Sequence, residues 1–130
     1  MLKKLIKKAI TLLEILVVVV IIGILATLAV PNFNRMRERA LDREAEANLR
    51  LIEAAEKIYL MEYIQYWACN DTTEVNNNLR LNIPIGRNWN YSTDDSGTGT
   101  AARNITGGRT WTLAIDGDPV CTKTDGDPCP

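Results

Sequence analysis

The sequence predicts an α+β fold in which one long amino-terminal helix, part membrane segment and part amphipathic, packs on a small antiparallel sheet. Three observations carry that prediction. Ile15 to Asn34 contains 20 residues without a charge, Arg35 to Trp67 contains neither Gly nor Pro, and the remainder shows short runs of alternating apolar residues. The averages conceal this partition. The 130 residues are 46% hydrophobic and 24% charged, with a net charge of −1 and a mean hydropathy of −0.09, values of an ordinary soluble domain. Yet 14 of the 16 residues from Ile15 to Val30 are apolar, against 19 of the 63 from Ala68 onward. The segregation excludes disorder throughout, and the balanced charge argues against a nucleic-acid grip as the main function. The chain has no His, so imidazole catalysis and His-ligated metals are excluded.

The first element, residues 1–9, carries four lysines, Lys3, Lys4, Lys7 and Lys8. By the positive-inside rule they stay cytoplasmic, and the chain beyond the apolar run lies across the membrane. The second element, residues 10–34, has the ~20 apolar residues that a spanning helix needs. A secretory signal fits less well, because its apolar region is shorter and Ala26 to Ala29 lacks the small-x-small cleavage spacing. Glu14 is the residue that a plain anchor leaves unexplained. A carboxylate near a bilayer core must snorkel toward the headgroups or meet a cation. Cleavage after Ala9 would supply one, since the new α-amino group of Ile10 would lie one helical turn away.

The run from Ala9 to Phe33, AITLLEILVVVVIIGILATLAVPNF, resembles the class III signal and transmembrane helix of type IV pilins and type II secretion pseudopilins. The basic leader, the Thr11-Leu12-x-Glu14 core and a Pro 17 residues after the Glu carry the resemblance, which covers about the first 35 positions. Ala9 stands where that family usually has Gly, and Ile10 where it usually has Phe. The resemblance implies a pilin-like fold and a leader cut by a prepilin peptidase between Ala9 and Ile10. It further implies N-methylation of Ile10 and a Glu14 that neutralises the amine of a neighbouring subunit during assembly. Its implied partners are copies of the chain itself, the prepilin peptidase, an inner-membrane assembly platform and, before assembly, membrane lipid. Loss of residues 1–9 lowers the basic count from 15 to 11 against 16 acidic side chains, a formal −5.

Pro31 removes one helical hydrogen bond and crowds the preceding turn, so it either ends the membrane helix or marks, with Gly23, a helix break that unwinds when subunits pack. The third element, residues 35–67, is rich in good helix formers. Leu41, Ala45, Leu49, Ile52, Ala55, Tyr59, Tyr63 and Tyr66 recur at steps of three and four and form one apolar face. Glu46 with Arg50 and Glu53 with Lys57 are i,i+4 pairs on the solvated side. A continuous helix from Thr11 to Trp67 would measure about 85 Å, a rod suited to a filament subunit.

The fourth element, residues 68–130, alternates at Leu79–Ile85, at Trp89 with Tyr91, and at Trp111 with Leu113 and Ile115. About three short antiparallel strands are expected to cover the Leu41 to Tyr66 face. Residues 76–78 and 92–109 read as loops. So thin a core needs a staple, and a segment outside the cytoplasm permits a disulfide. Cys69, Cys121 and Cys129 allow three pairings, of which Cys121 with Cys129 is favoured and Cys69 with either is the alternative. Asp116-Gly-Asp118-Pro and Asp125-Gly-Asp127-Pro form an imperfect repeat. Two Asp-Gly turns explain it, while oxygen-rich clusters also suit calcium, and the resemblance implies a calcium site formed by Asp116, Asp118, Asp125 and Asp127. No other cofactor is expected. No nucleophile and base fall together, so the expected function is structural rather than enzymatic. That function is a subunit of a pilus or pseudopilus filament, with the inner membrane as its station before assembly and the periplasm or exterior after it. The alternative is a minor pilin-like membrane anchor presenting a domain for recognition, adhesion or DNA uptake.

Overall fold

The computed structural model describes residues 11–105, 108–123 and 129. The leader, Ala9, Ile10, Asp125 and Asp127 lie outside the described residues. The chain divides into two units, Met1–Arg39 and Ala40–Pro130, and helix α1 (Leu12–Tyr63) has residues in both.

In the first unit α1 is helical through Gly23 and Pro31. Pro31 therefore does not end α1, and the unwinding expected at Gly23 and Pro31 belongs to subunit packing rather than to a single chain. Proline forfeits its own amide donor and crowds the turn before it, but long helical runs flank it, apolar before it and largely polar after it. Every side chain described from Leu12 to Asn34 is exposed.

The second unit adds α2 (Thr72–Asn78) and strands β1 (Trp89–Thr93), β2 (Gly99–Arg103), β3 (Arg109–Leu113) and β4 (Val120–Lys123). The strands form one antiparallel meander in the order β1-β2-β3-β4. Leu41, Ala45, Leu49, Ile52 and Ala55 of α1 are buried in one core with Trp89, Tyr91, Ala101 and Leu113 of the sheet. The predicted helical face is thus buried as far as Ala55, half-buried at Tyr59 and exposed at Tyr63. Trp89 Nε1 donates to the Leu41 carbonyl at 3.1 Å and Asn48 Nδ2 to the Tyr91 hydroxyl oxygen at 2.8 Å. Both aromatic residues therefore bury their rings with the polar tip satisfied.

Four boundaries differ from the sequence expectation, each for a local reason. Helix α1 stops at Tyr63 instead of Trp67, because Ile64 takes a left-handed φ of 61°, the conformation that closes many helices and that a β-branched residue rarely adopts. Residues 76–78 end a helix instead of forming a loop. Asp71 caps it, accepting from the amides of Thr73 at 2.7 Å and Glu74 at 2.9 Å, while Glu74 Oε2 accepts from the Asn70 amide at 2.7 Å. Asp71→Ala is expected to cost about 1 kcal/mol, visible as a lower urea midpoint of the full chain in detergent; an unmoved midpoint would mean that the cap adds nothing.

Residues 79–83 keep the predicted alternation, with Leu79 and Ile83 buried and Ile85 exposed, but among the described residues pair with no strand. The Asn76 side chain takes the place of a neighbouring strand: its Nδ2 donates to the Ile83 carbonyl and its Oδ1 accepts from the Ile83 amide, both at 2.8 Å. The segment expected to be a loop from 92 to 109 contains β2. Its composition, Gly-Thr-Ala-Ala-Arg, hides it, and packing explains that composition. β2 is an inner strand facing α1, and a Cβ on Gly99 would lie 3.0 Å from Leu49 Cδ2.

Candidate functional site

Two regions hold the residues marked by the sequence: the start of α1, and the turn between β3 and β4 with the tail beyond it. At the first, the Glu14 amide donates to Thr11 Oγ1 at 3.2 Å and to the Thr11 carbonyl at 3.0 Å. Thr11 therefore caps the helix, and Glu14 occupies its first turn, where a carboxylate is favoured by the helix dipole. The Glu14 side chain is exposed and open to a cation from outside the chain. Leu13, Leu16, Ile22, Leu25 and Leu28 are each more than half exposed, and α1 is long and apolar enough to cross a membrane. Exposed apolar surface on this scale marks contact with lipid or protein.

A second exposed surface gave no clear sign in the sequence. Leu51, Ala54, Ile58 and Met61 are exposed or half-exposed and recur at steps of three, four and three, which places them on one stripe of α1. The buried positions Leu49, Ile52 and Glu56 fall on another side of the helix wheel. The spacing that could have shown it, i, i+3, i+7 and i+10, was masked by the stronger core stripe.

Both predicted charge pairs are present, Glu46 with Arg50 at 3.8 Å on the solvated side and Glu53 with Lys57 at 2.8 Å, where the Glu53 side chain is largely covered. Lys57 also reaches Asp116 Oδ1 at 2.7 Å, which couples α1 to the β3–β4 turn. The Lys57 bond, followed by the Asp116 amide, holds the Glu53 carboxyl below its usual range, and hydrogen bonds to Asp116 and Glu53 raise the Lys57 ammonium above its own. Asp118 is exposed. Cys121 on β4 is joined to Cys129, with their Cα atoms 5.6 Å apart, so the bridge pins the tail to the edge strand. Cys69 is a free, buried thiol, pushed up in pKa chiefly by burial.

Two buried acidic residues were not anticipated. Asp42 pairs with Arg109 at 2.9 Å and accepts from Trp111 Nε1 at 3.3 Å, tying α1 to β3. Glu56 is fully buried on the core face, and its Oε2 accepts from the Trp67 amide at 3.0 Å. Burial raises its pKa, and the Trp67 hydrogen bond opposes the shift. Trp67 in turn accepts from the Thr93 hydroxyl at 2.6 Å, so the chain leaving α1 is fastened at both its amide and its carbonyl. The lack of Gly or Pro near position 64 left no sequence sign of this return.

An exposed apolar helix segment, capped at Thr11 beside a carboxylate, in a chain that also folds a helix-on-meander domain, defines a class: an α+β arrangement of pilin-like architecture. The chain is similar in sequence to type IV pilins and type II secretion pseudopilins. It is 43% identical over 56 residues to the type IV major pilin protein PilA of Myxococcus xanthus, a match covering 43% of this chain and 26% of that protein. It is 34% identical over 84 residues to the type II secretion system core protein G of Escherichia coli, covering 65% and 58%. It is also 39% identical over 61 residues to the competence protein ComGC of Streptococcus pneumoniae, covering 47% and 56%. The chain thus spans between about a quarter and three fifths of these relatives. No family model matches it, and no solved structure does.

Proposed function

We propose that the protein is a structural subunit of a type IV pilus or type II secretion pseudopilus, held in the inner membrane by α1 and then assembled with copies of itself into a helical filament. The observation that carries this reading is the division of labour along α1. From Leu12 to Asn34 its described side chains are all exposed, whereas from Leu41 to Ala55 one stripe is buried in the domain core. A segment that exposes so much apolar surface needs lipid before assembly and other helices after it. The relatives named for a pilus and for type II secretion support the same reading.

Assembly begins with removal of residues 1–9, which discards Lys3, Lys4, Lys7 and Lys8 and leaves an apolar start at Ile10. The cytoplasmic lysines first orient the precursor, and their loss lets the segment leave the lipid. In a dry filament core an ammonium and a carboxylate each carry a desolvation cost unless they meet. Glu14 therefore sets the register of an incoming subunit by receiving the amine of its neighbour's Ile10. Catalysis has no part in this role.

The test is Glu14→Ala in the organism. The variant is expected to reach the membrane and to be processed, with mass spectrometry showing loss of nine residues plus one methyl group, yet to yield almost no filaments in sheared-cell preparations. Wild-type filament numbers would overturn the assignment of Glu14. An uncut amino end in the native protein would overturn the filament reading itself.

A further inference from the structure

The first Asp-Gly-Asp-Pro motif, Asp116 to Pro119, has the oxygen-rich composition of a calcium loop, but its carboxylate already meets a cation belonging to the chain. Lys57 Nζ lies 2.8 Å from Glu53 Oε1 and 2.7 Å from Asp116 Oδ1. The Asp116 amide donates to the same Glu53 oxygen at 2.9 Å, and the Gly117 amide closes the turn on the Ala114 carbonyl, also at 2.9 Å. Asp116 holds a left-handed φ of 59°, a conformation that Asp tolerates better than most residues.

The described residues of this turn do not fit calcium, Asp125 and Asp127 lying outside them. The ion takes six to eight oxygens, while among the described residues no group of three or more acidic or sulfur ligands comes together. A dication on Asp116 would also face the Lys57 ammonium across one carboxylate. We propose that Lys57 is the resident cation of the β3–β4 turn, doing for Glu53 and Asp116 what a calcium ion does in an oxygen-lined loop, so that this turn is fixed to α1 without metal.

The effect is local. The Asp116 side chain is 80% exposed, and an ion pair so open to water adds little to global stability. The Glu53 side chain is only 11% exposed and is the hub, since it accepts from both the ammonium and the Asp116 amide. Without Lys57 the carboxylates of Glu53 and Asp116 repel each other, and the amide bond that orders the turn is the first to open.

Amide hydrogen exchange at Asp116 tests this in the isotopically labelled full chain in detergent micelles. The expected wild-type rate is the same in millimolar calcium as in EGTA. Lys57→Gln is expected to speed exchange about tenfold in either buffer, and Lys57→Arg, which keeps the charge, to retain most of the protection. The urea midpoints of the variants show whether they remain folded. Two results would overturn the proposal: wild-type exchange that slows about tenfold or more on adding calcium, or a folded Lys57→Gln chain with wild-type protection.

Discussion

Leu49→Ala is expected to cost about 3 kcal/mol of folding stability, and Gly99→Val in the same chain to return part of it. Leu49 is 1% exposed at the centre of the helix–sheet core, so truncation loses both the transfer energy of the side chain and the contacts around the resulting cavity. Across from it, Gly99 leaves room for Leu49 Cδ2, which would stand 3.0 Å from any Cβ placed there. Gly99→Val alone opposes two effects. Valine gains up to about 1 kcal/mol in strand preference, but overpacking a filled core costs about 1–3 kcal/mol, so the single variant is expected to be destabilised. With Leu49 truncated the valine methyls enter the vacated space, the clash disappears and the strand preference remains. Urea unfolding of the full chain in detergent gives the cycle. The double variant should be more stable than Leu49→Ala alone; strictly additive losses would show that the two side chains do not share this space.

The same pair explains why part of the fold was legible in the sequence and part was not. The helix announced itself through a sustained three-and-four spacing from Leu41 to Ala55, because one face of a long helix repeats a simple rule many times. β1 and β3 showed through Trp89, Tyr91, Trp111 and Leu113, large residues whose alternation fits a half-buried strand. β2 was invisible because its requirement is the opposite one. An inner strand pressed against α1 needs Gly99 and Ala101 to be small, and small residues in sequence look like a loop. The extended segment around Ile83 misled in the other direction. Its alternation is real, yet its backbone partner is the side-chain amide of Asn76, and only the folded chain brings residues seven apart into that pairing. The cap of α2 could have been read, since Asp71-Thr-Thr-Glu74 is a capping-box spacing. At the functional positions the pattern lies in one short stretch, the leader, Glu14 and Pro31, whereas the roles proposed for it, cleavage and contact between subunits, lie outside one folded chain.

Glu56→Gln is expected to remove a pH dependence from the folding of the protein and to raise its stability at neutral pH. Glu56 is fully buried, and among the described residues its Oε1 has no hydrogen-bond partner. Two effects compete at this carboxyl. Burial favours the neutral acid, and hydrogen bonding, from the Trp67 amide to Oε2 and then from the Thr93 hydroxyl, favours the anion. The pKa is raised in the folded chain, so burial outweighs the hydrogen bonding. Exposed Asp94, just past the end of β1, adds its charge in the same upward direction, and the nearby Cys69 thiol, itself raised, stays neutral at pH 7. Linkage sets the sign. A carboxyl with a folded pKa above its unfolded value contributes stability below the unfolded value and loses it as pH rises through the folded one. Wild-type stability should therefore fall from mildly acidic toward neutral pH, over the window opened by the upward shift of Glu56. Glutamine keeps an oxygen for the Trp67 amide without carrying a buried charge, so the variant should lack that fall and exceed the wild type at pH 7. Parallel urea titrations of the two full chains in detergent, from pH 4 to pH 8, read this difference. A Glu56→Gln chain that is less stable than the wild type at pH 7 would mean that the Trp67 hydrogen bond to a charged acceptor outweighs desolvation.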